Sequence, residues 1–114
     1  MHIDSYTFGN IVIDGKAYSS DCLIFGDSVQ ADWWRKQGHS LAVEDLQPVL
    51  AAKPSVLVVG CGESGMMKVR EETKQALQQQ NIELIAVNTG QAVAKFNQLA
   101  EQGENVAAAL HLTC

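Results

Sequence analysis

Positive charge is scarce in this 114-residue chain: eight Lys and Arg stand against thirteen Asp and Glu, a net charge of −5. That sign repels phosphate backbones and anionic lipid heads, and Arg35-Lys36 is the only adjacent basic pair, so no nucleic acid partner is expected. Long apolar runs are missing too. No segment approaches the ~20 apolar residues of a membrane span, so no membrane partner is expected. The residues after Met1 include no apolar run of signal-peptide length and no arginine before Arg35, which removes secretory and mitochondrial addresses and leaves a cytoplasmic location as the expectation. Three cysteines, Cys22, Cys61 and Cys114, are odd in number and lack metal-ligand spacing, which argues against a disulfide framework or a zinc site. No metal and no cofactor is implied. At this length a single domain, 1–114, is expected to bury roughly two thirds of its unfolded surface.

What the chain does have is a strand that runs into glycine. Ser55 to Gly65, SVLVVGCGESG, carries four unbroken apolar residues, Val56 to Val59, into Gly60, Gly62 and Gly65. A strand apolar on both faces must be covered on both, which places it in mid-sheet. Beyond it, Met66, Val69, Thr73, Ala76 and Leu77 share one stripe, predicting an amphipathic helix of about four turns that opens at the glycine turn. Ile82 to Val87 reads as a second strand. Asn88-Thr89-Gly90 turns the chain into a helix from Gln91 to Gln102, with Thr89 as N-cap and Gly103 as the residue after its end. Val106 to Leu110 is a third strand. Strands alternating with helices through short connections predict a parallel core.

The first third follows a different pattern. Ile11 to Ile13, Asp14-Gly15 and Lys16 to Ser19 read as a β-hairpin, because Asp-Gly tolerates the positive φ of a tight turn. Asp21 to Phe25 is a short apolar strand closed by Gly26-Asp27-Ser28. Trp33 and Trp34 would face opposite ways on extended backbone, one into the core and the other outward, where packing is a plainer role than a ligand wall. From Val43 to Ala52 the spacing is helical, with Asp45 as N-cap, Pro48 in the first turn and Pro54 ending it. The fold class is therefore α/β: a three-layer single domain with a central mixed, mostly parallel sheet flanked by helices, plus an N-terminal β-hairpin.

Gly60-Cys61-Gly62-Glu63-Ser64-Gly65 satisfies G-x-G-x-x-G after a strand, the spacing of a dinucleotide fingerprint, in which free N–H groups at a helix start favour an anion. A dinucleotide site wants an acidic residue after the next strand, where this chain reads Asn88-Thr89-Gly90, and Glu63 would repel a pyrophosphate. The string is also similar to the VLxxGCGxG turn of S-adenosylmethionine-dependent methyl-transferring enzymes, but this chain is too short for their sheet. Glycines serving only a tight turn are the simpler reading. Cys61 beside a helix start could be a lowered-pKa nucleophile, although a small buried side chain is the plainer role, and the histidines His39 and His111 are not placed beside it by sequence. Candidate ligand-binding residues are Gly60, Cys61, Gly62, Glu63, Ser64, Gly65, Asn88 and Thr89; no catalytic residue is assigned.

Four pieces of the chain carry a family resemblance: IDGKAY at Ile13 to Tyr18, a tryptophan followed by GHSL at Gly38 to Leu41, the VLVVGCG strand and turn, and TGQAVAKFNQLAEQGENVAAAL from Thr89 to Leu110. With them the chain resembles small domains of unknown function whose eukaryotic relatives include an adipogenesis-associated protein and a mitochondrial complex I assembly factor. Cys61 stands where that family more often has threonine, and Glu104 where arginine is common. The resemblance implies a three-layer α/β fold with an additional hairpin and no established reaction. The chain lacks a paired acid and base, a triad or a metal cluster. The function expected is a non-enzymatic binding or assembly module acting through its surface, with a protein partner or self-association. The alternatives are a small-molecule protein taking a nucleotide-like or anionic ligand at the Gly60 to Gly65 turn, and a thiol-dependent redox enzyme through Cys61.

Overall fold

The structure is a computed structural model describing residues 1–114. The chain opens with β1 (Ile3–Thr7), β2 (Asn10–Ile13) and β3 (Lys16–Tyr18), followed by the hairpin β4 (Cys22–Phe25) and β5 (Ser28–Gln30). A two-residue strand β6 (Ser40–Leu41), a 3-10 turn (Val43–Leu46) and α1 (Gln47–Ala52) lead to β7 (Val56–Cys61). Then come β8 (Lys68–Val69), α2 (Glu71–Gln79), β9 (Glu83–Val87), α3 (Thr89–Glu101) and β10 (Val106–His111).

The central sheet runs β5-β4-β10-β7-β9. β10 and β9 flank β7 in parallel, β4 is antiparallel to β10, and β5 is antiparallel to β4. β4 alone runs against the others, which makes the sheet mixed and mostly parallel. Every residue of β7 and β10 is buried, as strands covered on both faces require. On one face Val56, Val58 and Ala108 meet Ala92 and Phe96 of α3 and Ile3, Ile11 and Ile13 of the small antiparallel sheet β1-β2-β3. On the other, Leu57, Val59, Cys61, Ala107 and Ala109 meet Trp33, Leu41, Leu46, Val49, Met67 and Leu77. The alanines of β10 share their layers with bulky covering residues, Ala108 with Phe96 on one side and Ala107 and Ala109 with Trp33 on the other, so each layer combines small side chains with large ones. Asn97 of α3 fixes the outer sheet by accepting the Ile3 N–H (2.9 Å) and donating to the Ile3 carbonyl (2.8 Å), in place of a strand neighbour.

The expected hairpin is present, turning through Asp14 (φ 48°) and Gly15 (φ 79°), and it covers the central sheet instead of extending it. Trp33 is 3% exposed and Trp34 82%, the opposed facing expected of consecutive extended residues. Four local expectations are corrected. The helix after the glycine turn begins at Glu71, because the N–H groups of Lys68 and Arg70 donate to His39 and Leu41 and pair β8 with β6. Tertiary pairing overrides the helical stripe there. Thr89 is the first residue of α3, and Asn88 is its N-cap, the side-chain oxygen accepting the Gln91 N–H at 2.9 Å. Asp45 lies inside the 3-10 turn and reaches back to accept the Ala42 N–H at 2.9 Å, instead of capping α1. Finally, β1, β5 and β6 are strands that the sequence pattern did not predict.

Candidate functional site

The exits of β7 and β9 converge, as the parallel register demands. The Gly62 N–H donates to the Thr89 hydroxyl (2.9 Å), the Thr89 N–H donates to the Gly62 carbonyl (3.1 Å), and the same hydroxyl donates to the carbonyl of His111. One threonine therefore ties together the ends of three strands. The space beyond is filled by the segment Leu112–Cys114. Glu63 N–H donates to the Thr113 carbonyl (2.6 Å), Met66 N–H to the Cys114 carbonyl (3.0 Å) and Gly65 N–H to the Gly62 carbonyl (3.2 Å), so donors that would cradle an anion are engaged.

The glycines are explained by this packing. A Cβ at Gly62 would stand 2.1 Å from the carbonyl carbon of Cys114 and 2.9 Å from the His111 ring, and one at Gly60 would stand 2.9 Å from the Thr89 hydroxyl. No helix opens at the turn, so the G-x-G-x-x-G spacing lacks the helix N-terminus on which a dinucleotide fingerprint depends. Glu63 and Ser64 are exposed on the turn itself. Beside it lies a cleft of about 270 Å³ that brings Cys61, Gly65 and Asn88 together with Lys68 and Lys74. Gly60, Gly62, Glu63, Ser64 and Thr89 stand outside its lining.

Cys61 is buried, and burial pushes its thiol up from the ordinary value against the smaller opposing pull of Lys68. Its cross-strand partner in the β7–β10 register is His111, a neighbour that sequence alone did not supply. The imidazole is engaged elsewhere.

His111 belongs to a cluster that sequence reasoning missed. Asp21, at the entry to β4, accepts from His111 Nδ1 (2.7 Å), Arg35 Nη2 (2.9 Å) and the Leu112 N–H (2.7 Å). Burial alone would raise the Asp21 carboxyl, but the hydrogen bonds from His111, Leu112 and Arg35 outweigh it and hold the group below its usual value. Arg35 lies with its guanidinium carbon 4.7 Å from the Trp33 ring centroid and donates through Nε to the Gly38 carbonyl (3.0 Å). His39 meets His111 edge to face, with ring centroids 5.6 Å apart. The signal was weak: three lone polar residues, two of them 90 positions apart, that only the adjacency of β4 and β10 unites.

Three large exposed apolar residues, Phe8 (53% exposed), Trp34 and Met66 (51%), stand on segments that border Leu112–Cys114. The Gly9 N–H, next to Phe8, donates to the Leu112 carbonyl at 2.8 Å, Trp34 and Thr113 line one cavity, and the Met66 N–H is bonded to Cys114. The fourth exposed apolar side chain, Met1, lies at the opposite end beside Gly26 and Glu104.

A family model described as protein of unknown function (DUF498/DUF598) matches residues 3–111. The chain belongs to this family. The human NADH dehydrogenase [ubiquinone] 1 alpha subcomplex assembly factor 3 is 30% identical to this chain over 113 residues, covering 96% of it. The chain spans 60% of that relative's length. Among solved structures, the conserved hypothetical protein PH1505 from Pyrococcus horikoshii OT3 superposes with a TM-score of 0.82 at 28% identity over the whole of both chains. An outer membrane protein from Bartonella henselae superposes with a TM-score of 0.85, covering 98% of this chain and 94% of that one; at 24% identity it bears on the fold alone. This member of the family is thus a mixed five-stranded sheet between helices with an antiparallel outer sheet, and no helix of it is long and apolar enough to cross a membrane.

Proposed function

We propose that the protein is a non-enzymatic binding or assembly module, and that its working surface is the rim around Leu112–Cys114. The observation that carries this reading is the gathering of Phe8, Trp34 and Met66 on that rim, since large exposed apolar side chains grouped at one end of a small domain are the usual anchors of a protein interface. The human relative's name as an assembly factor agrees with it. The partner is another protein or a second copy of the chain, and the location consistent with the sequence is the cytoplasm. The test is size-exclusion chromatography with light scattering, together with capture of partners by the immobilised protein, for wild type, Trp34→Ala and Met1→Ala. Loss of assembly with Trp34→Ala alone supports the rim. A solitary monomer that captures nothing, or equal assembly by all three proteins, refutes it.

A second reading rests on the cleft beside the glycine turn. Lys68 and Lys74 give it positive charge, and Cys61, Gly65 and Asn88 stand at the carboxyl ends of β7 and β9, where open α/β sheets take ligands. On this reading a small anionic or nucleotide-like molecule binds there, and the remaining turn residues, Gly60, Gly62, Glu63, Ser64 and Thr89, shape its edge. Thermal shifts with nucleotides, flavins and S-adenosylmethionine at saturation test it, and the absence of any stabilisation removes it. Thiol chemistry through Cys61 has less support, because burial disfavours the thiolate.

A further inference from the structure

A cavity of about 340 Å³ opens next to the Asp21–Arg35–His111 cluster, on the β4 side of the sheet and away from the cleft beside the glycine turn. We infer that this cavity is a binding site for a small zwitterion, an α-amino acid with an apolar or aromatic side chain. The cavity shares Trp34 and Thr113 with the docking rim, but the inference needs no protein partner, and it stands apart from the anion reading of the other cleft.

The hydrogen-bond inventory leads to it. Arg35 and His111 have side chains only 5% and 7% exposed, yet Arg35 Nη1 and His111 Nε2 have no hydrogen-bond partner. The Asp21 carboxylate is an acceptor, taking bonds from Arg35 and the Leu112 N–H as well, so the proton between His111 Nδ1 and Asp21 Oδ2 belongs to the histidine, and Nε2 is left without a partner. Asp21 already accepts from three donors, one on Oδ1 and two on Oδ2. A buried guanidinium with one nitrogen unpaired is costly, and a buried ion pair is not by itself a gain over apolar packing, so the cluster is not accounted for by stability. What the orphaned nitrogen lacks is a carboxylate, the planar acceptor that an arginine fork matches. Stacking on Trp33 and bonds to Gly38 and Asp21 already hold the guanidinium in place, so little ordering remains to be done on binding.

The mouth supplies the complementary half. Asp32 lines the same cavity and forms no ion pair, and Trp34 offers an exposed indole face. A dianion would be repelled by Asp32, whereas an ammonium would be drawn to it. A molecule with a carboxylate at the floor, an ammonium at the mouth and a flat or apolar body against the indole meets all three. The two orphaned atoms lie beneath the lining and do not touch water-accessible surface. Binding therefore requires part of the lining to move aside.

The test is calorimetric titration of the intact protein with phenylalanine, phenylalaninamide and 3-phenylpropionate, compared across wild type, Arg35→Gln and Asp32→Asn. Wild type should bind phenylalanine with a saturable 1:1 isotherm and each of the two analogues at least about tenfold more weakly. Arg35→Gln should erase the preference for the carboxylate. Asp32→Asn, an exposed change that leaves the floor intact, should erase only the preference for the ammonium, so that phenylalanine and 3-phenylpropionate bind alike. No saturable binding of phenylalanine to wild type, equal binding of phenylalaninamide, or an Asp32→Asn protein that still prefers the amine would each overturn the assignment.

Discussion

Gly62 and Gly65 stand three residues apart in one turn, and both have positive φ, 100° and 70°. If the glycines exist to admit neighbouring chain, alanine at the two positions should behave differently. At Gly65 nothing lies within 4 Å of the added methyl, so the cost is the left-handed conformation alone, about 1–2 kcal/mol. At Gly62 the methyl would sit 2.1 Å from the Cys114 backbone, so the tail must leave. Its bonds to Glu63 and Met66 go with it, at about 1 kcal/mol each, and the total loss is about 3–4 kcal/mol. That is a large share of the 5–15 kcal/mol that holds an ordinary domain. Urea unfolding followed by far-ultraviolet circular dichroism reads the difference. With a slope of about 2 kcal/mol per molar, the Gly62→Ala midpoint should fall about 1 M below that of Gly65→Ala. Coincident midpoints would refute the reasoning and return the glycines to a role in ligand approach.

Other outcomes follow from the cluster, the thiols and the outer sheet. Asp21→Asn should destabilise the protein by about 3 kcal/mol at pH 7, because it leaves the buried Arg35 without its counter-charge. The native Asp21 carboxyl is held below its usual value, so its contribution is complete above the unfolded pKa near 4 and is lost as pH falls through the depressed native value; wild type and variant should begin to approach each other in acid unfolding curves below about pH 4 and converge only below that native value. Iodoacetamide at pH 7.5, followed by mass spectrometry, should modify exposed Cys114 first, Cys61 slowly and Cys22 last, since burial pushes the Cys22 thiol up to about 12; labelling of Cys61 as fast as Cys114 would contradict its burial. Asn97→Ala removes both bonds to Ile3 and should cost about 2 kcal/mol, with hydrogen exchange of the Ile3 amide accelerated while β7 amides keep their relative protection.

The parts of this fold that could be read from the chain are those whose signals are local. β7 announced itself by Val56 to Val59, the hairpin by Asp14-Gly15, and the opposed tryptophans by the two-residue period of extended backbone. Met66 to Arg70 misled because its stripe is helical while the Lys68 and Arg70 N–H groups bond to His39 and Leu41 and the Met66 N–H to Cys114, pairings that no periodicity encodes. β1 was missed because a single residue of it, Ile3, is fully buried, leaving almost no alternation to detect. At the glycine turn the sequence revealed that bulk was forbidden at Gly60 and Gly62, and it concealed that the excluded space belonged to Thr89 and Cys114. Asp21, Arg35 and His111 were illegible for a related reason. Each is unremarkable alone, and strand order, which length and composition leave undetermined, makes them one network.

The unequal surroundings of the two adjacent indoles make the protein its own optical reporter. Trp33, sealed in the core beneath a cation, should emit at short wavelength, whereas Trp34, bathed in solvent, should supply the red part of the spectrum. A molecule that settles on Trp34 must change the second component, so a blue shift of the long-wavelength band would signal occupancy with no label attached, and a change in the short one would mean that the molecule reaches the Arg35 guanidinium stacked on Trp33.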